Sequence, residues 1–153
     1  MNQTFENCTL LDTYTWFQKA RPEVSDQDRA SQLGVHLEEV VEMLDALGGQ
    51  GKALPALLGA RRALHDLAEK VKSGEFVLNV INEELFLDSL CDQIVTATGV
   101  GYTNRFDMVG AMTEVNRSNF SKFDEAGNPI RNEHGKIMKS ATYSPPVLTP
   151  YLP

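Results

Sequence analysis

Residues Leu85–Thr98 read LFLDSLCDQIVTAT, and their spacing decides the fold. At about 100° per residue, Phe86, Leu87, Leu90, Cys91, Ile94, Val95 and Ala97 share an arc of about half a helix circumference. A helix with so wide an apolar arc is expected to be mostly buried. The only charges of the stretch, Asp88 and Asp92, lie four residues apart on one face, flanked by Leu85 and Val95. Like charges at this spacing oppose each other, and desolvating carboxylates without partners costs far more. A positive group is therefore expected beside them. It is either a divalent cation or a basic side chain such as Arg61, Arg62 or Lys122.

Four further helices are expected around this one. The first runs from about Thr9 to Lys19, with Leu10, Leu11, Tyr14 and Phe17 on one side and Pro22 after it. Ser25 followed by Asp28 is a variant of the capping box and opens a second helix. It reaches Leu47, where Gly48 and Gly49 stop it. Leu33, Leu37, Val40, Leu44 and Leu47 form its stripe, and Glu38, Glu39, Glu42 and Asp45 lie opposite. A third helix, about Leu54 to Lys72, starts near Pro55 and ends at Gly74. Asn82 caps the fourth, Glu83 and Glu84 occupy its first turn, and Gly99 and Gly101 close it. Asn104 caps the fifth, with Asp107 at the third position. Its inner stripe is Phe106, Val109, Met112 and Val115, and it reaches about Phe120.

After Phe123, DEAGNPI and NEHGKIM each place Gly in a turn-forming cluster before an apolar residue, which predicts two short extended pieces joined by a turn. Ser140 to Pro153 carries four prolines and no periodicity. Its Tyr143, Val147, Leu148, Tyr151 and Leu152, with Ile130, Ile137 and Met138 before them, predict a tail anchored on its own bundle or on a neighbouring subunit. The expected fold is all-α: an antiparallel helical bundle of four to five helices over about 9–123, with an extended, partly hairpin-like C-terminal tail over about 124–153. The whole of 1–153 reads as a single domain.

Hydrophobic content of 42% and charged content of 23% are those of an ordinary globular chain. No apolar run approaches the roughly 18 residues of a membrane span, and MNQTFENCTLL has no basic leader pattern. No membrane association and a cytoplasmic location are expected. Of the two cysteines, Cys8 and Cys91, the second falls on the apolar arc and reads as a reduced core thiol. A net charge of −7 argues against general nucleic-acid binding. It leaves room for a small anionic ligand held through metal ions.

Three constellations could carry chemistry. Glu38-Glu39-x-x-Glu42 taken alone is what a solvated helix face looks like. Asp88-x-x-x-Asp92 is stronger because its neighbours are apolar, with a structural ion pair as the other reading. Together, two helices with carboxylates about one turn apart can enclose hard divalent cations, since magnesium and manganese prefer oxygen ligands. In Glu114–Lys122, EVNRSNFSK, Asn116 and Asn119 are three apart, as are Asn119 and Lys122. Uncharged donors beside a cation suit phosphate oxygens. The plainer reading is a polar helix end whose basic residues oppose the helix dipole. His36, His65 and His134 make no metal-ligand spacing, and His36 with its following acids is not HExxH. A di-iron carboxylate bundle would need Glu-x-x-His pairs, and none occurs. Trp16 and Phe17 could stack on a base, but aromatics of a first helix are more often core.

Glu38-Glu39-x-x-Glu42 with a later acid pair ending in Asp92 resembles the MazG-like all-α nucleoside triphosphate pyrophosphohydrolases. EVNRSNFSKFDEAGNPIRNEHGKIMK, followed by YSPP, is similar to the C-terminal part of the phosphoribosyl-ATP pyrophosphohydrolase-like branch. The two matches span about Ser31 to Pro146. The resemblance implies hydrolysis of NTPs between the α- and β-phosphates to NMP and pyrophosphate, with Mg²⁺ or Mn²⁺, in a homodimer or a dimer of dimers. It implies Glu39, Glu42 and Asp92 as metal ligands, with Asp88 beside them. Glu38 would bind a further metal or orient the attacking water. Asn119 and Lys122 would hold phosphates. Asn116 and Arg117 would join them, and Lys122, with Lys136 or Lys139, would offset charge on the leaving phosphates in catalysis. The chain departs from the family's ExxD motif by having Ser89, so that Asp88 substitutes from one residue earlier. The interval from Glu42 to Asp88 is also longer than usual and contains the helix around 54–72. A non-catalytic helical binding or oligomerisation module, with its carboxylates in structural ion pairs, is the alternative.

Overall fold

The computed structural model describes residues 9–132 and 137–153. It contains five α-helices: α1 (Thr9–Ala20), α2 (Asp26–Asp45), α3 (Ala53–Lys72), α4 (Glu83–Thr103) and α5 (Met108–Phe120). A 3₁₀ turn follows at Thr149–Tyr151. The fold is all-helical, as the periodicity predicts. Two isolated antiparallel bridges, Phe123 with Pro129 and Arg131 with Ile137, give the tail its hairpin-like start. No helix among the described residues is long and apolar enough to cross a membrane. Contacts divide the chain into two compact units, Glu23–Asn82 on the one hand and Met1–Pro22 with Glu83–Pro153 on the other.

The Glu23–Asn82 unit is a pair of antiparallel helices. Ser25 Oγ accepts from the Asp28 backbone N–H at 3.1 Å, and the Ser25 N–H donates to the Asp28 carboxylate at 3.0 Å, closing the capping box. Along the pair, Asp45 bonds Arg61 and Glu38 bonds Lys72, so rising numbers on α2 meet falling numbers on α3. The helices come close at Gly34, where an added Cβ would lie 2.9 Å from the Ala68 carbonyl oxygen and against the Lys72 side chain. Val41, Ala68 and Val71 are buried between them. α2 ends at Asp45 and not at Leu47, which is exposed. Gly74 takes φ of 79° just beyond α3, the left-handed conformation that glycine allows.

In the other unit α1 lies along α5 in the same direction. Thr13 and Thr9 meet Asn116, and Trp16 meets Asn119 and Phe123. The inner side of α5 differs from the expected apolar stripe. Asn116 and Ser118 are buried, while Val109 is exposed, because α1 is held partly by hydrogen bonds to α5.

Two expectations about α4 are corrected. The helix does not stop at Gly99 or Gly101 but continues to Thr103. It is closed by Arg105 at φ of 63°, with Arg105 N–H donating to the Tyr102 carbonyl and Phe106 N–H to the Gly101 carbonyl, both at 3.0 Å. This is the Schellman pattern with an arginine where glycine is usual. Gly101 is instead a contact glycine, since a Cβ there would strike the Met108 side chain. Asn104 accordingly does not cap α5; its side-chain amide donates to the Val100 carbonyl at 2.8 Å. Asp107 is the cap, accepting from Gly110 N–H at 3.0 Å.

The second correction concerns burial. Leu85, Phe86, Leu87, Ile94 and Val95 are 39–66% exposed, and Cys91 is an exposed free thiol. Among the described elements of its unit α4 contacts α5 alone, and the side chains named above are exposed.

The tail runs back along α5. Ser140 Oγ donates to the Ser121 carbonyl at 2.8 Å, and Ser144 N–H to Ser121 Oγ at 3.0 Å. Val147 N–H donates to Glu114 at 2.8 Å. The Tyr151 carbonyl accepts from Asp107 N–H at 3.0 Å, and its ring lies against Gly110, where a Cβ would collide with it.

Candidate functional site

The acidic turn of α2 carries Glu38, Glu39 and Glu42. Glu38 is half-buried and accepts from Lys72 Nζ at 3.0 Å; Glu69 takes the same ammonium at 2.5 Å. Hydrogen bonding by Glu69 first, and then by Glu38, pushes the Lys72 pKa above the ordinary lysine value. Lys72 is thus a fixed cation behind the acidic turn. Glu39 and Glu42 are exposed one turn apart.

On α4, Asp88 and Asp92 are exposed, against the expectation of desolvated carboxylates. Neither enters an ion pair among the described residues. Arg61, one of the expected partners, bonds Asp45, and Lys122, another, bonds Asn119. Solvated carboxylates one turn apart repel only weakly, so this helix needs no basic partner to form. Within the described residues of either unit, no three His, Cys, Asp or Glu side chains converge as a metal-binding group would.

The end of α5 brings Asn119 and Lys122 together, as their spacing predicts. Lys122 Nζ donates to Asn119 Oδ1 at 2.8 Å and lies 5.7 Å from the centre of the Trp16 ring. Trp16 is itself fixed: Nε1 donates to the Asn119 carbonyl at 2.9 Å, and the ring stacks on Phe123 with centroids 5.8 Å apart. An ammonium held over an indole face gains a cation–π attraction while staying at the protein surface. The Asn119 Nδ2 group remains as a donor beside it.

Asn116 and Arg117, read from the sequence as substrate residues, serve the fold in this structure. Asn116 is 4% exposed; its Oδ1 accepts from the Thr13 hydroxyl at 2.9 Å and its Nδ2 donates to the Thr9 carbonyl at 2.8 Å. Arg117 donates twice to Glu114 at 2.7 Å and once to the Pro145 carbonyl at 3.1 Å. With Val147 N–H on the same carboxylate, these bonds hold the Glu114 carboxyl at about 2, well below the usual range, with Arg117 as the larger cause. Glu114 is the residue that sequence reasoning left without a role; its i,i+3 spacing to Arg117 was the available signal. Lys139 lies 4.5 Å from the centre of the Tyr143 ring. Lys136 and His134 fall outside the described residues. An open depression lined by Tyr102, Thr103, Arg105, Phe106 and Asp107 holds none of the predicted site residues.

Comparison with protein families, curated proteins and solved structures gives no match to this chain.

Proposed function

We propose that the protein is a metal-dependent nucleoside triphosphate pyrophosphohydrolase, cleaving between the α- and β-phosphates to give NMP and pyrophosphate. The observation that carries the reading is the pair Asp88 and Asp92: exposed, one turn apart, and without an ion pair among the described residues. The non-catalytic alternative requires these carboxylates to be structural ion-pair members. Their exposed oxygens instead match the hard donor set that magnesium or manganese takes.

By the resemblance, Glu39 and Glu42 on α2 would be metal ligands, and so would Asp92, with Asp88 beside it, on α4. A divalent cation held by such carboxylates would supply charge neutralisation for phosphate oxygens and a lowered pKa for a bound water. Glu38, steadied by Lys72, would orient the attacking water. Lys122, fixed by Asn119 and Trp16, would hold phosphate oxygens together with Asn119 Nδ2. Lys139, and Lys136 near it in sequence, would offset charge on the leaving pyrophosphate.

The test is a calorimetric titration with Mg²⁺ and Mn²⁺, followed by a panel of ribo-, deoxyribo- and base-modified NTPs with pyrophosphate detection. Metal binding and pyrophosphate release from at least one NTP are expected. Absence of metal binding together with an inert panel overturns the reading in favour of the binding module.

A further inference from the structure

We infer that Ser140 is a positioning residue that locks Lys139 beside Lys122, so that the two ammonium groups act as one site for a pyrophosphate group; this rests on the phosphate contacts proposed for both lysines. All the residues involved belong to the unit formed by Met1–Pro22 and Glu83–Pro153. Neither lysine enters an ion pair among the described residues. Each is seated instead against an aromatic ring, Lys122 Nζ at 5.7 Å from the centre of Trp16 and Lys139 Nζ at 4.5 Å from that of Tyr143. A carboxylate would neutralise an ammonium, whereas a ring face holds it and leaves its charge available to an anion.

Lys139 lies in the tail, and the next residue sets its place. Ser140 Oγ donates its single proton to the Ser121 carbonyl at 2.8 Å, one of the acceptors that the end of α5 leaves without a partner in the helix. The same oxygen accepts from the Thr142 N–H at 3.1 Å and lies 2.9 Å from the Thr142 hydroxyl, so it is fixed from both sides. Tyr143 N–H donates to the Ser140 carbonyl at 3.2 Å and closes the turn that carries the ring under Lys139. From the α5 side, Ser121 Oγ donates to the Ser118 carbonyl at 2.7 Å and accepts from Ser144 N–H at 3.0 Å. Lys122 follows Ser121, and Lys139 precedes Ser140. With about 3.8 Å between consecutive Cα atoms, the Ser121–Ser140 bond keeps the two lysine Cα atoms within about 15 Å of each other. Side chains about 6 Å long can then reach one pyrophosphate from its two ends.

The test titrates the full chain with inorganic pyrophosphate, without added metal, and follows the fluorescence of Trp16, the single tryptophan, whose ring faces the Lys122 ammonium. The parent chain is expected to bind. Ser140→Ala and Lys139→Ala should each weaken binding about tenfold, the loss of one charge-assisted hydrogen bond. The double variant should bind no more weakly than either single one, because Ser140 acts through Lys139. No binding by the parent, parent-like binding by Ser140→Ala or by Lys139→Ala, or a double variant weakened by the product of the single effects overturns the proposal. If Ser140→Ala loses helicity, Ser121→Ala, which removes the acceptor of the Ser144 N–H, takes its place in the same cycle. Binding with this pattern but no cleavage of any NTP would sink the catalytic reading alone. NTP cleavage without the pattern would sink the positioning role alone.

Discussion

Replacing Asn116 by alanine separates a structural amide from a substrate-binding one. The side chain is 4% exposed and makes two bonds to α1, to the Thr13 hydroxyl at 2.9 Å and to the Thr9 carbonyl at 2.8 Å. Each is worth about 1 kcal/mol net, so their loss should cost about 2 kcal/mol. The penalty for orphaned partners is small, because the single proton of the Thr13 hydroxyl can turn to the Thr9 carbonyl, 3.0 Å away, and so satisfy both groups. Urea unfolding followed by the fluorescence of Trp16, the single tryptophan, reports on this contact directly. With a urea slope of about 1–3 kcal/mol per molar, the midpoint should fall by about 1 M. A midpoint within about 0.3 M of the parent would refute the reasoning. A large loss of kcat/KM at that unchanged midpoint would return Asn116 to the substrate.

Glu42→Gln and Asp92→Asn should abolish NTP turnover while changing stability by less than about 0.5 kcal/mol, because both carboxylates are exposed; turnover within about threefold of the parent in both variants, about 0.7 kcal/mol of barrier, would sink their assignment as ligands. Arg105→Gly should raise stability by about 0.5–1 kcal/mol and Tm by about 2 °C, since a left-handed arginine costs about 1–2 kcal/mol against the smaller entropic penalty of glycine; a lowered Tm refutes the Schellman closure. Glu114 has a folded pKa of about 2 against an ordinary 4.5, so its hold on the tail is complete above pH 4.5 and is lost as pH falls towards 2. Hydrogen exchange at Val147 should show that loss, and Glu114→Gln should have weaker protection at neutral pH and no acid transition; a pH-independent Val147 in the parent contradicts the clamp.

All five helices were legible in the sequence because amphipathic spacing and the Ser25 and Gly74 signals act locally. The end of α4 was not, since the residue that closes it is an arginine, which carries no left-handed signature, while the two glycines inside the helix do. Periodicity told which side of α4 is apolar and was silent on what covers it, so the expected burial failed for Leu87, Cys91 and Ile94. The Asn119–Lys122 contact was legible because residues three apart on a helix are neighbours. Asn116 carried the same spacing, yet only the approach of Thr9 and Thr13, more than a hundred residues away in sequence, turns its amide inward. The docking of the tail was foreshadowed by its spaced apolar residues, whereas the Glu114–Val147 bond depends on a backbone N–H that sequence does not place.

The central claim is tested most directly by ³¹P NMR of an NTP incubated with the protein and Mg²⁺. The account predicts signals of NMP and pyrophosphate growing in equal amounts, with neither NDP nor orthophosphate. Release of NDP and orthophosphate would place cleavage at the wrong bond, and an unchanged spectrum for every NTP of the panel would contradict the enzyme assignment itself.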